Sequence, residues 1–174
     1  MIYNIHPIFV HFPIALLFIY SVIKILPFKK WLPLISWIQI ERALLFFGVL
    51  GAFAALGTGE LGEKLYRSKR QLIEIHSVFA GIATWVYVAL LVGEILFILN
   101  NSYPDLVQKI KSEKIKTILV KLEKFLCAET FSKILALLGF VAIFVTGILG
   151  GAIVYGSTAD PVAGLLLKLF GINL

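Results

Sequence analysis

Apolar residues run along this chain in four long blocks, separated by polar, glycine-rich or lysine-rich connections. The blocks cover residues 7–26, 37–57, 71–99 and 134–155. Each offers roughly the 20 predominantly apolar residues that a helix needs to cross a bilayer. Backbone N–H and C=O groups in lipid must pair within their own segment, so each block predicts a membrane-spanning helix. The third block is long enough to tilt or to project beyond the bilayer. Residues 103–127 follow another pattern. Ile110, Ile118, Leu119, Leu122, Phe125 and Leu126 fall at helical spacing among lysines, which predicts an amphipathic helix on an anionic surface or a solvated, partner-binding helix. Residues 162–170 predict a short apolar helix returning to the outer interface. The expected fold is all-α: an integral-membrane, up-down-up-down four-helix bundle with one amphipathic interfacial helix, forming a single transmembrane domain over residues 1–174.

Local signals refine these elements. Pro7 suits a first helical position, where its missing N–H would be unpaired anyway. Pro13 lies inside the first span, removes one hydrogen bond and favours a kink. No positive charge precedes that span and no small-residue cleavage site follows it, which argues for a retained helix over a signal peptide. Trp31 and Trp37 read as interfacial anchors around Pro33. Gly57, Gly59 and Gly62 predict a turn-rich connection carrying Glu60, Glu63, Lys64, Arg67, Lys69 and Arg70.

Composition agrees with a membrane protein. Sixty per cent of the residues are hydrophobic, 15% are charged and the mean hydropathy is +0.96, far from the surface polarity a soluble domain of this length requires. The net charge of +6 is not read as nucleic-acid binding, because no Arg-rich patch is interleaved with exposed aromatics. In a membrane protein, basic residues report orientation and contact with anionic headgroups. Lys24, Lys29, Lys30 and Arg42 flank the first connection, and Lys109, Lys111, Lys114, Lys116, Lys121, Lys124 and Lys133 flank the third. The opposite side carries only Lys64, Arg67, Lys69, Arg70 and Lys168. The positive-inside rule therefore predicts a multi-pass protein of the cell membrane with both termini extracytoplasmic.

This topology gathers all three histidines near one face. Taking helix starts at Pro7 and Gln71, His11 lies about 6 Å into the membrane and His76 about 7.5 Å, at 1.5 Å per residue. Two histidines at similar depth on separate helices can share a metal, or can simply hydrogen-bond between helices. His6 and His11 are five residues apart, a turn of about 140°, so both cannot face one point. His6 is expected at the helix cap, facing water or binding a propionate or second ion. Ala80, Gly81 and the glycines of the fourth span leave room for a flat macrocycle, or permit close helix packing. Glu60 and Glu74 are placed to orient an imidazole through its second nitrogen, or to be solvated. Glu94 and Arg42 are expected to pair at the inner interface. The lone Cys127 reads as a free apolar residue near the membrane surface. No Ser/His/Asp set, H-E-x-x-H motif, Walker loop or GxGxxG opening is present, so ordinary hydrolase and nucleotide-binding activities have no support.

The run His6-Pro7-Ile8-Phe9-Val10-His11-Phe12-Pro13-Ile14-Ala15 resembles the H-P-x-x-V-H-F-P-I-A opening of a prokaryotic four-helix membrane-protein family of unassigned function, domain of unknown function 2231. Gly147, Gly150-Gly151 and Val154-Tyr155 are similar to that family's G-x-x-G-G-x-x-V-Y ending, and His76 fits its histidine early in the third helix. Gly156 follows Tyr155 directly, where many members carry a further polar residue or histidine, so no ligand role transfers there. Members of the family are suspected haem binders and sometimes occur beside redox proteins. The resemblance thus implies one b-type haem near the extracytoplasmic face, with electron transfer to or from a redox partner protein. His11 and His76 are the expected axial ligands, and His6 is a further cofactor-binding candidate. The competing readings are a non-haem metal site using His11, His76, His6 and Glu60, and a cofactor-free assembly or interaction subunit.

Overall fold

The computed structural model describes residues 6–63, 69–156 and 161–172, which form helices and connections with no strand among them. The helices are α1 (His6–Ile25), α2 (Phe28–Trp31), α3 (Trp37–Glu63), α4 (Arg70–Ser102), α5 (Pro104–Gln108), α6 (Glu113–Cys127), α7 (Glu129–Tyr155) and α8 (Pro161–Leu169). Four of them, α1, α3, α4 and α7, are long and apolar enough to cross a membrane. The protein is a multi-pass, all-α four-helix membrane bundle.

Packing divides the bundle into two closely packed pairs, α1 with α3 and α4 with α7, joined through α1–α7 and α3–α4 contacts. The core of this assembly is Leu17, Tyr20, Leu45, Val49, Tyr87, Leu90, Ala136 and Ile143. Glycine governs the closest approaches. A Cβ on Gly48 would lie 2.5 Å from Leu17 Cδ2, and one on Gly139 would lie 2.7 Å from Tyr87 Cζ. Helices in lipid gain nothing from burying apolar groups against one another that the lipid tails do not also offer, so small residues that allow dense contact carry the association. Large apolar side chains such as Phe9, Phe12, Phe47, Trp85, Leu138 and Phe144 face outward, as a lipid-solvated exterior requires.

The ends of the bundle differ. At one end Glu41, almost fully buried, lies between Lys24 at 3.3 Å and Lys29 at 3.0 Å, and Arg42 Nε donates to Glu94 at 3.0 Å. The expected Arg42–Glu94 pair is therefore present. Helix α4 has 33 residues, about 50 Å of helix, so it outruns a hydrocarbon core of about 30 Å. Its far turns are covered by α6, whose Leu126 sits against Gly93. The polar segment expected as one amphipathic helix is two helices, α5 and α6, broken between Gln108 and Glu113. Ser112 caps α6, its side chain accepting from the Ile115 N–H. The outward face of α6 carries Ile115, Ile118, Leu122 and Phe125 beside its lysines.

At the other end α8 packs through Ala163 and Leu167 on Leu72, Leu149 and Ile153. Helix α7 stops at Gly156, whose φ of 85° suits glycine, and its N–H bonds the Ala152 carbonyl at 3.0 Å. The turn expected at Gly57 and Gly59 is instead helical, since α3 continues to Glu63. A continuous α-ladder there tolerates the modest helix penalty of glycine, about 1 kcal/mol per residue relative to alanine. Lys64 and Arg67 lie outside the described residues.

Candidate functional site

His6 and His76 meet at the end of the bundle where α8 packs. Their ring centroids are 6.5 Å apart and their planes stand at 87°. Each ring is held by the second helix of its own pair. His76, on α4, donates from Nδ1 to the Thr146 carbonyl of α7 at 3.0 Å. His6, on α1, has its Nδ1 3.1 Å from Thr58 Oγ1 of α3. Thr58 Oγ1 itself donates to the Ala54 and Ala55 carbonyls, both at 3.0 Å. The pair thus spans the seam between the two helix pairs.

His11 is elsewhere. It is exposed, on the outward side of α1 with Phe12, and its Nδ1 donates to the Pro7 carbonyl one turn back at 2.5 Å. The residue brought to His76 is His6, not His11. The physical reason is rotation: His6 and His11 stand five residues apart on α1, a turn of about 140°, so the face that brings His6 to α3 and His76 carries His11 outward. Glu74 is exposed and paired with Arg70 at 2.9 Å, and Glu60 is exposed. Neither carboxylate orients an imidazole here; a carbonyl and a hydroxyl of the neighbouring helices do so.

Gly59 and Gly150 press on the rings: a Cβ on either would lie 3.3 Å from Cε1 of His6 or His76 respectively. A Cβ on Gly57, Gly81, Gly147 or Gly151 would meet nothing within 4 Å. Among the described residues, no three His, Cys, Asp or Glu side chains gather into a metal-binding group. The donor set is therefore two imidazoles. Two imidazoles bound on opposite sides of one metal at about 2.0 Å, through one nitrogen each, have centroids about 6 Å apart, close to the separation seen. A donor set of this kind suits a metal whose remaining ligands come with it, as the four ring nitrogens of a haem do.

Two sequence signals mark the site without any motif match. Thr58-Gly59-Glu60-Leu61-Gly62 recurs as Thr146-Gly147-Ile148-Leu149-Gly150, and His6-Pro7-Ile8-Phe9 as His76-Ser77-Val78-Phe79. Each histidine thus lies within the first two turns described of the first helix of a pair, and each T-G-x-L-G run lies late in the second. Compared with protein-family models, curated proteins and solved structures, the chain matches none.

Proposed function

We propose that this protein binds one b-type haem near the extracytoplasmic face of the cell membrane and passes electrons between it and a redox partner protein. His6 and His76 would hold its iron in this reading, and the observation that carries it is their ring centroids meeting at 6.5 Å across the seam of the bundle. Their Nδ1 atoms are engaged by neighbouring helices. Such contacts fix the tautomer and orientation of a ligating imidazole. Haem supplies one-electron chemistry; this chain's residues hold it, orient it and tune its potential through burial and hydrogen bonding. The distribution of lysines supports an extracytoplasmic histidine end. Membership of domain of unknown function 2231, suggested by the H-P-x-x-V-H-F-P-I-A run, belongs to the same proposal.

A second reading keeps the same pair but fills it with a single imidazole-binding metal ion, which two histidines also accept. Optical spectra of the purified protein from haem-replete cells, oxidised and then reduced, separate the two. Sharp low-spin bands that vanish in both His6→Ala and His76→Ala, and persist in His11→Ala, are the expected result. A featureless spectrum from folded protein overturns the haem reading, and bound-metal analysis of the same sample then tests the second.

A further inference from the structure

Helix α6 carries more apolar surface than its neighbour covers. Its Leu126 is buried against Gly93 of α4, and Asn100 Nδ2 of α4 donates to Glu123 Oε2. At about 100° per residue, with Leu126 as the origin, Leu119 and Glu123 fall about 20° and 60° to one side, the side of α4. Ile115, Leu122, Ile118 and Phe125 fall about 20°, 40°, 80° and 100° to the other. All four are exposed. The apolar sector from Leu119 to Phe125 is thus about 120° wide, and α4 covers only one edge of it.

Lysines border the uncovered part. Beyond Phe125 come Lys114 at about 120° and Lys121 at about 140° from Leu126, both exposed. Among the described residues neither joins an ion pair, nor do the exposed Lys111 and Lys124, whereas Lys116, on the side of α4, is bound to Glu113 at 2.8 Å. A lysine stem lies along apolar surface while its ammonium stays with water or phosphate. The last turn of α6 stands where the spans end: Gly93 precedes Glu94, which pairs with Arg42 near the start of α3, and α7 begins two residues after Cys127. Phe125 stacks on Phe131 of α7 with centroids 4.1 Å apart. Ile134 and Leu138, on the Phe131 face of α7, are exposed like other lipid-facing residues of the spans. A second copy of this chain answers the face poorly, since no acidic side chain borders the four apolar residues to meet the lysines.

We infer that α6 is a docking helix for anionic phospholipid: Ile115, Ile118, Leu122 and Phe125 enter the headgroup boundary of the membrane the protein spans, and Lys114 and Lys121 take the lipid phosphates. Apolar residues on one flank with lysines at their border match a layer that is apolar below and negative above. The contacts with α4 and α7 hold the helix in place, so the protein meets this lipid with a prepared face. The inference is independent of the haem reading, which concerns the other end of the bundle.

The test places a nitroxide on single introduced cysteines of the full-length protein, on a Cys127→Ser background. The protein is held in nanodiscs of phosphatidylcholine alone or mixed with phosphatidylglycerol. Collisions with oxygen, which concentrates in lipid, and with a neutral water-soluble nickel chelate report where each label sits. In the mixed bilayer, labels at Ile118→Cys and Leu122→Cys should meet oxygen severalfold more than nickel. A label at the exposed Thr117→Cys, turned away from that face, should show the reverse. Omitting phosphatidylglycerol, or replacing Lys114 and Lys121 together by Gln, should lower the oxygen preference at Ile118 and Leu122, and Lys116→Gln should leave it unchanged. Labels at these two positions that meet nickel freely in the mixed bilayer overturn the inference. Shielding from both reagents also overturns it, because it marks a protein partner or a second copy on the face. An oxygen preference indifferent both to phosphatidylglycerol and to the two lysines overturns the recognition of anionic lipid. Each outcome leaves the histidine pair untouched, so the haem reading and this one fail separately.

Discussion

The Tyr87 hydroxyl meets Ser21 Oγ at 2.7 Å inside the bundle, about one turn from Lys24, where both side chains are fully buried. Ser21 lies on α1 and Tyr87 on α4, so this bond ties one helix pair to the other some way below the histidines. Gly139 of α7 makes room for the tyrosine ring. The bundle therefore has a buried polar pin towards its lysine-rich end and a polar pair at the other, with apolar packing between them.

Filling that room should be costly. Gly139→Ala places a methyl 2.7 Å from a ring carbon with no flexible end to yield, and overpacking of this kind costs about 1–3 kcal/mol. Tyr87→Phe removes only the hydroxyl and should cost about 0.6 kcal/mol, in the range found for hydrogen bonds between membrane helices. Thermal unfolding in detergent should rank wild type above Tyr87→Phe and Tyr87→Phe above Gly139→Ala. A Gly139→Ala melting point equal to wild type would remove the packing argument.

Glu41 is the ionic centre of the lysine-rich end. Its side chain is 4% exposed, while Lys24 is 17% and Lys29 is 55% exposed. Glu41→Ala leaves the partly buried Lys24 uncompensated and should destabilise by about 3 kcal/mol, the lower end for breaking a buried pair. Lys29→Ala, at an exposed position, should cost less than about 1 kcal/mol. Chemical or thermal denaturation of both variants checks the order, and similar losses would contradict it.

Cys127 reports on the docking of α6. Burial pushes its thiol above the ordinary cysteine value, with the Glu94 and Glu123 carboxylates acting in the same direction. Less of it is thiolate at neutral pH than of a free cysteine, so alkylation should be slow there and accelerate only at more alkaline pH. Gly93→Ala brings a Cβ to 2.9 Å from Leu126 Cβ and 3.4 Å from Cys127 Sγ. That variant should loosen α6 and raise the alkylation rate severalfold at neutral pH. An unchanged rate and pH profile would mean that α6 does not shield the thiol.

Orientation can be read with introduced cysteines on a Cys127→Ser background. Lys168→Cys lies on α8 at the histidine end and Lys121→Cys on α6 at the other, both exposed. A membrane-impermeant maleimide added to intact cells should label Lys168→Cys, and Lys121→Cys only after permeabilisation. The reverse pattern would place the histidine pair on the cytoplasmic side.

The four spans were readable from apolar runs alone, because lipid imposes one rule on every spanning segment and leaves few alternatives. The Arg42–Glu94 contact was readable too, since two opposite charges near one interface have few other partners. The histidine partners were not. Depth singled out His11, but rotation decides contact, and neighbouring residues stand about 100° apart around a helix axis. Gly59 looked like a turn, and only the run of α3 through to Glu63 shows it to lie within a helix, against the His6 ring. The break between α5 and α6 was masked by a periodicity that continues across it.

The seam between the helix pairs also orders events in time. His6 and Thr58 enter the membrane with the first pair, and that half of the site is complete when α3 is in place. His76 follows with α4, but the Thr146 carbonyl that aims it arrives only with α7, after the long lysine-rich stretch has been made. A nascent chain therefore holds one finished half-site and one unaimed histidine for much of its synthesis. Anything that needs both imidazoles can be captured only after the last spanning helix has packed, so capture marks a completed bundle and, from then on, clasps its two halves together.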